Sequence, residues 1–313
     1  MAIRIGHLST FYHTAVLLMA RADLAARLGD GVAWTLFGTG PAIMQAFARQ
    51  ELDLAYVGLP PAVIGMDQGT DVRCVAGGHM EGTVLAGKVR WRGLPELAGP
   101  SEVLSQFPGR VIGVPGNGSI HDVILRDAIA AAGLEGRIGV LNFPWSDLVT
   151  EAVVRDEVDA AMGTPALAVA IKRFAGGRVL VPPSRLWPHN PSYGIVVARS
   201  FLERSRQVVR EFLVLHEEAS ALLRERPAEA ARIIARQVGV VDEAFVHETL
   251  ALSPKYCAQL TSAYRSSTMQ FVRTLKLRGY IRKELTEEEI FDRSLIDEVH
   301  PGPDHYEAAR PVP

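Results

Sequence analysis

The stretch Phe37–Ala55, FGTGPAIMQAFARQELDLA, lies over Phe143–Ala161, FPWSDLVTEAVVRDEVDAA, at a fixed offset of 106 without a gap, and six of the nineteen positions are identical. The matches are Phe37/Phe143, Ala46/Ala152, Arg49/Arg155, Glu51/Glu157, Asp53/Asp159 and Ala55/Ala161. Each copy reads as a strand end, a turn, an amphipathic helix, a tight turn and a second strand. Upstream, Arg4-Ile5-Gly6 and Val111-Ile112-Gly113 begin the two units alike; downstream, Gly58-Leu59-Pro60 and Gly163-Thr164-Pro165 close them. The repeat predicts two similar α/β lobes.

Working outward, short apolar runs alternate with helical patterns up to about residue 200, the signature of βαβ units and parallel sheets covered by helices. Strands are expected at Ile3–Leu8, Ala33–Phe37, Leu54–Gly58, Val72–Ala76, Val111–Val114, Ile138–Asn142, Ala160–Gly163 and Val179–Val181. Helices are expected over Pro41–Gln50, Ile120–Ala132 and Asp147–Asp156, with Ser119 and Asp122 spaced as a capping box. From Ser200 the pattern turns wholly helical: Phe201–Arg226, Ala228–Val238, Asp242–Leu252, Ser262–Arg278 and a short turn begun by Thr286 with Glu289 as its box partner. This part packs on a lobe, and the proline-rich His300–Pro313 wraps or frays.

Composition narrows the function classes. A chain of 313 residues with net charge −2 is long enough for two domains and carries no field for gripping a polyphosphate, so nucleic acid is not an expected partner. Cys74 and Cys257 are too few for a disulfide framework or a cysteine-built zinc site. No apolar run approaches the roughly 20 residues that cross a bilayer. Met1-Ala2-Ile3-Arg4-Ile5-Gly6 enters a strand at once, which points either to the cytoplasm or to a leader missing from this sequence.

Catalytic patterns fail on particular residues. There is no phosphate loop ending in Gly-Lys-Ser/Thr. Gly38-Thr39-Gly40 and Gly116-Asn117-Gly118 start like dinucleotide fingerprints but lack the third glycine. His79-Met80-Glu81 lacks a third metal ligand, and no cofactor or metal is called for. What remains are turns at the carboxyl ends of strands, where open α/β sheets bind ligands through main-chain N–H groups and helix N-termini. The candidate ligand-binding residues are Ser9, Thr10, Phe11, His13, Gly38, Thr39, Gly40, Gly58, Pro60, His79, Glu81, Asn117, Gly118, Ser119, Trp145, Thr164 and Tyr193. Glycines let the backbone approach a guest, and small hydroxyls with free amides hold an oxyanion without a dedicated cation. Phe11, Tyr12, Trp145, Trp187 and Tyr193 offer apolar walls, while Glu81, Asp122 and Asp147 are available to an amino group on the guest.

Ile3-Arg4-Ile5-Gly6, Phe37-Gly38-Thr39-Gly40-Pro41, Glu51-Leu52-Asp53-Leu54-Ala55, Gly113-Val114-Pro115 and Asp159-Ala160-Ala161 together resemble the solute-binding proteins of ABC importers for nitrate, sulfonates, taurine and bicarbonate, over about residues 3–260. The resemblance implies a type II periplasmic-binding-protein fold with a helical C-terminal extension, two lobes, and a small anionic ligand enclosed between them for a membrane permease. It implies crossing strands at Gly82–Lys88 and Tyr193–Ala198, hence lobe one as 1–87 and 193–313 and lobe two as 88–192. It implies binding without turnover and an extracytoplasmic location. The alternative on the same scaffold is a cytoplasmic enzyme similar to chorismate dehydratases or to the thiamine-pyrimidine synthases, whose cysteine-rich motif is absent here. A ligand sensor that signals through the helical tail is a third class.

Overall fold

The computed structural model describes residues 2–29 and 31–306. The first unit runs β1 (Ile3–Leu8), α1 (Thr14–Met19), α2 (Leu24–Leu28), β2 (Val32–Phe37), α3 (Gly40–Ala48), β3 (Leu54–Val57), α4 (Leu59–Asp67) and β4 (Val72–Met80). The second runs β5 (Val84–Lys88), α5 (Pro100–Leu104), β6 (Val111–Pro115), α6 (Ile120–Ala131), β7 (Gly139–Phe143), α7 (Ser146–Val154), β8 (Ala160–Gly163), α8 (Pro165–Ala175), β9 (Gly177–Val181) and α9 (Pro183–Leu186). The chain then returns through β10 (Pro191–Ala198) into α10 (Arg199–Arg204), α11 (Arg206–Glu225), α12 (Pro227–Val238), α13 (Glu243–Leu252), α14 (Ser262–Leu277), α15 (Glu287–Ile290) and α16 (Ile296–Val299).

Two five-stranded mixed sheets result, ordered β2-β1-β3-β10-β4 and β7-β6-β8-β5-β9. In each, the central strand of a parallel trio is β1 or β6, and an antiparallel strand, β10 or β5, follows it. The two-lobed α/β architecture predicted by the repeat is therefore observed, with a helical C-terminal part. The chain changes sheet at Glu81–Thr83 and again at 182–190. These crossings are bonded to each other: Glu81 N donates to Asn190 O (2.8 Å), and Glu81 Oε1 accepts from His189 N (3.0 Å). Glu81 and His189 both have left-handed backbones, φ 62° and 58°.

The repeated residues have repeated tasks. Asp53 accepts from Arg4 N (3.0 Å) while its own N–H returns to Arg4 O (2.9 Å); Asp159 accepts from Val111 N (3.1 Å) while its N–H returns to Val111 O (2.8 Å). Each carboxylate thus closes the start of β1 or β6 against β3 or β8. At equivalent positions Gln50 (φ 59°) and Asp156 (φ 58°) end α3 and α7 in the left-handed conformation, and Glu51 N→Ala46 O and Glu157 N→Ala152 O complete the cap, both at 2.9 Å. A side chain at Gly6 would collide with Leu52 at 2.8 Å and press on Ala55 and Phe37 at 3.3 Å; Gly113 faces Val149, Val158 and Phe143 at 3.1–3.3 Å. The identical Phe37 and Phe143 are therefore the lids over the two glycines.

Departures from expectation have local causes. The strand expected at Val72–Ala76 continues to Met80 because it pairs with β10 along its length. The helix expected over Phe201–Arg226 breaks at Ser205, whose backbone (φ −132°, ψ 35°) is not helical. Thr286 and Glu289 form the complete capping box. Ser119 accepts from Asp122 N (3.2 Å), but Asp122 reaches back to Gly118 N (3.0 Å) rather than to Ser119. The downstream match is shifted by one: the caps of α4 and α8 are Gly58 and Thr164, so Thr164 and not Gly163 stands where Gly58 does. The C-terminal helices touch both units, α11 and α12 packing on α1, α14 on α4, and α13 on α8. Of His300–Pro313, the described part wraps: His300 and Tyr306 are buried.

Asp53 is nearly buried, and the hydrogen bonds and charge of Arg4 outweigh its desolvation, so its carboxyl titrates below the ordinary 3.8. Asp53→Asn is expected to lower stability by about 1–3 kcal/mol at neutral pH. The deficit should shrink as pH falls from 3.8 through the lower folded value, because the wild-type carboxyl is then protonated too. Denaturant titrations of both proteins from pH 7 to the acid limit of folding check this.

Candidate functional site

The carboxyl ends of both parallel trios face each other, and between them lies a small cavity of about 40 Å³. Five helices of at least nine residues begin at its wall: α3 (Thr39, Gly40), α4 (Gly58), α6 (Ser119, Ile120), α7 (Ser146) and α8 (Thr164). Two come from the first unit and three from the second, and α3/α7 and α4/α8 are repeat-related. The rest of the lining is Leu8, Ser9, Thr10, Tyr12, His13, Gly38, Pro61, Pro115, His121 and Ser192. No lysine, arginine, aspartate or glutamate is among these residues. Positive potential therefore comes from N-terminal amides and helix dipoles.

The polar side chains are held from behind. Tyr12 and Ser192 share a hydrogen bond (3.1 Å), and His121 Nδ1 pairs with Thr83 Oγ1 (2.9 Å). Ser119 donates to Pro115 O (2.8 Å), and Thr164 accepts from Leu167 N (3.2 Å). Two buried polar atoms of lining residues, Thr10 Oγ1 and His13 Nδ1, have no partner. Buried atoms of this kind ordinarily find one. Burial holds His13 well below its ordinary 6.5, with His79, His7, His216 and His121 adding to the shift, and takes His121 down to about 4. Burial also raises Tyr12 to about 12. At neutral pH the wall is uncharged.

The two units meet around the cavity. A β-carbon on Gly38 would lie 2.3 Å from Pro144 O and 2.9 Å from the Trp145 ring, and one on Gly116 would lie 2.7 Å from Thr39. Tyr280, following α14, donates to Asp122 Oδ2 (2.7 Å), while Arg282 N and Lys283 N bond Asp67 of the first unit. Phe11 packs edge-on against Phe245 of α13 (5.7 Å).

Of the seventeen candidate residues, Ser9, Thr10, His13, Gly38, Thr39, Gly40, Gly58, Ser119 and Thr164 line the cavity. The others stand elsewhere. Pro60 is buried within α4, and its neighbour Pro61 faces the cavity instead. His79 lies behind Tyr12 (4.9 Å between rings) and bonds Ser253 O (2.6 Å). Tyr193 underlies His13 at 4.0 Å. Glu81 is committed to the crossing and to Lys255 (3.1 Å). Asn117 opens onto an outer groove, Trp145 covers Gly38 at the rim, and Phe11 belongs to the α13 contact. Gly118 has φ 77°, so its glycine serves the backbone of the turn. Asp122 is satisfied by Gly118, Arg126, Asn142 and Tyr280. Trp187 stacks on Phe271 (3.9 Å), outside the cavity.

Leu8, Pro61, Pro115, Ile120, His121, Ser146 and Ser192 also line the cavity without being among the candidates; each is next or nearly next to one, and only the direction of its side chain distinguishes it. A larger groove, about 790 Å³ and lined by Asn117, Arg126, Ile138, Arg278 and Tyr280, lies open on the outer surface. Its cations are already paired, Arg126 with Asp122 (2.9 Å) and Arg278 with Asp127 (3.2 Å).

The model of the NMT1-like family matches residues 1–239. No curated protein matches by sequence. The chain is similar in structure to the alkanesulfonate-binding protein SsuA of Xanthomonas axonopodis pv. citri bound to MOPS, with TM-score 0.77, 19% identity, and 93% of this chain and 98% of that one covered. It is similar to the periplasmic aliphatic sulphonate binding protein SsuA of Escherichia coli (TM-score 0.76, 18% identity, 93% and 92% covered). It is also similar to the periplasmic nitrate-binding protein NrtA of Synechocystis PCC 6803 (TM-score 0.75, 13% identity, 96% and 88% covered). The fold is thus the two-lobed periplasmic-binding-protein type.

His13, His79, His121 and His216 are all buried with depressed pKa values, about 3 for His79 and about 4 for His121 and His216. An unfolded chain takes up their protons near 6.5 while the folded one does not, so stability is full above 6.5 and falls as pH drops toward 4. His121→Gln is expected to reduce that slope by roughly 1 kcal/mol per pH unit between these limits, read from urea unfolding as a function of pH.

Proposed function

Since this chain belongs to the NMT1-like family, we propose that it is a solute-binding protein that encloses a small anion between its lobes for an ABC importer. The observation that carries this reading is the convergence of five helix N-termini from both units on one cavity whose lining has no charged side chain. Such a wall favours negative charge and offers no carboxylate to a cationic guest. The orphaned Thr10 Oγ1 and His13 Nδ1 are available to complete the coordination of a guest. A water needs about 10–15 Å³ of such space, so the cavity holds roughly three, the scale of nitrate or of a sulfonate head. The similar proteins named for sulfonate and nitrate support the same class.

In this reading the lobes, expected as 1–87 with 193–313 and as 88–192, turn about the paired crossings at Glu81–Thr83 and 182–190, so that all of β5 goes with the second unit and all of β10 with the first. The contacts of Gly38 with Pro144 and Trp145, and of Gly116 with Thr39, belong to the closed state. Ligand contacts stabilise closure, and a permease reads the closed surface from an extracytoplasmic compartment.

Thermal unfolding and calorimetric titration with nitrate, taurine, short alkanesulfonates, carboxylates, pyrimidines and chorismate-like acids test the proposal. A small oxyanion or sulfonate should raise the melting temperature and be recovered unchanged. Gly38→Val should weaken its affinity at least about tenfold while leaving the ligand-free melting temperature close to wild type, because the added side chain meets Pro144 and Trp145 only when the lobes shut. Consumption of the hit, or stabilisation by none of these anions, would overturn the reading.

A further inference from the structure

On the far side of β4 from the cavity lining, three segments distant in sequence bring metal-ligating atoms together. Cys257 Sγ lies 3.5 Å from His300 Nε2 and 3.8 Å from His305 Nδ1, and those two nitrogens are 3.1 Å apart. Glu217 Oε1, from α11, lies 3.8 Å from His300 Nε2 and 3.7 Å from His305 Nδ1. Zinc held tetrahedrally by bonds of about 2.0–2.3 Å separates its ligands by about 3.3–3.7 Å. From these distances we propose that Cys257, His300 and His305, whose ligand atoms all lie within 4.8 Å of one another, bind one divalent cation of the zinc type, with Glu217 beside the two histidines as the carboxylate that completes the set, and that the ion clips His300–Tyr306 to α11 and to the loop before α14.

The surroundings fit a built site. Cys257 is fully buried and His300 nearly so, whereas His305 is part-exposed and gives an entry path. Glu217 is oriented before any ion arrives: Ala258 N donates to Oε2 (2.8 Å) and Arg224 to Oε1 (2.8 Å). Outer partners of this kind fix a carboxylate ligand. Arg224 also donates to Tyr256 O (3.0 Å), so it is anchored as an outer group. Binding exchanges the Cys257 S–H bond for an S–metal bond and releases the proton to solvent; thiolate and carboxylate then balance the dication. Soft thiolate with two imidazoles selects zinc over magnesium or calcium. His300 and His305 are five apart, within the short His–His spacing of structural zinc sites, and Cys257 lies 43 residues before His300. The clip would tighten a region already tied to β4 through Cys257 N→Gly78 O (3.3 Å) and Tyr306 Oη→Cys257 O (2.6 Å).

The test uses the full chain. After equilibration with zinc and passage over a weak chelating resin, elemental analysis should find one zinc per chain, and zinc should raise the melting temperature. Cobalt(II) should give a thiolate charge-transfer band with intense tetrahedral d–d bands. Cys257→Ser should abolish the charge-transfer band. His305→Gln, at a part-exposed position that leaves the core intact, should weaken zinc affinity more than about 100-fold, beyond what loss of an outer partner costs. The proposal is overturned if the wild type retains no stoichiometric metal, or if retained metal is indifferent to both substitutions. None of these readouts depends on which anion occupies the cavity.

Discussion

The carboxylate at the entry of β3 and of β8 is the contact from which both lobes are built. Asp53 and Asp159 each accept the N–H that begins the neighbouring central strand and return their own N–H to its carbonyl. This pins the helix before them, through the left-handed Gln50 or Asp156, to a fixed register against β1 or β6. Register decides which strand ends are level, and level strand ends place the helix N-termini on one surface. With two copies facing, five such termini surround one space.

That geometry explains why the wall can be electrically effective while carrying no ion. Partial charges on unpaired amides are fixed by the backbone and need no desolvated guanidinium or ammonium. The histidines nearby stay neutral because burial penalises their charged forms, His13 and His121 in the wall and His79 and His216 behind it. Tyr12 and Ser192, bonded to each other, add shape rather than charge.

Much of this was legible in the chain because it repeats and because parallel strands write themselves as apolar runs. Six identities over nineteen positions located both units, and the caps at Ser119 and Thr286 were visible as hydroxyls ahead of helical patterns. What stayed hidden was direction. A turn shows its place in sequence but not which of its residues looks inward: Pro61 and not Pro60, and His121 and Ser192 and not Phe11 or Tyr193, face the cavity. Glu81 and His79 carried chemistry in name, yet long-range partners, His189 with Lys255 and Ser253, absorbed both. The Cys257, His300 and His305 grouping was beyond reach because only the path of α14 to α16 brings those residues together.

The bonds between Glu81 and residues 189–190 have a mechanical meaning. Two covalent links between rigid bodies would ordinarily permit bending, twisting and shear in combination. Here one residue ties the outgoing strand to the returning one through main chain and side chain together. The two links therefore lie side by side, and a rotation of one sheet against the other that parted them would have to break both bonds.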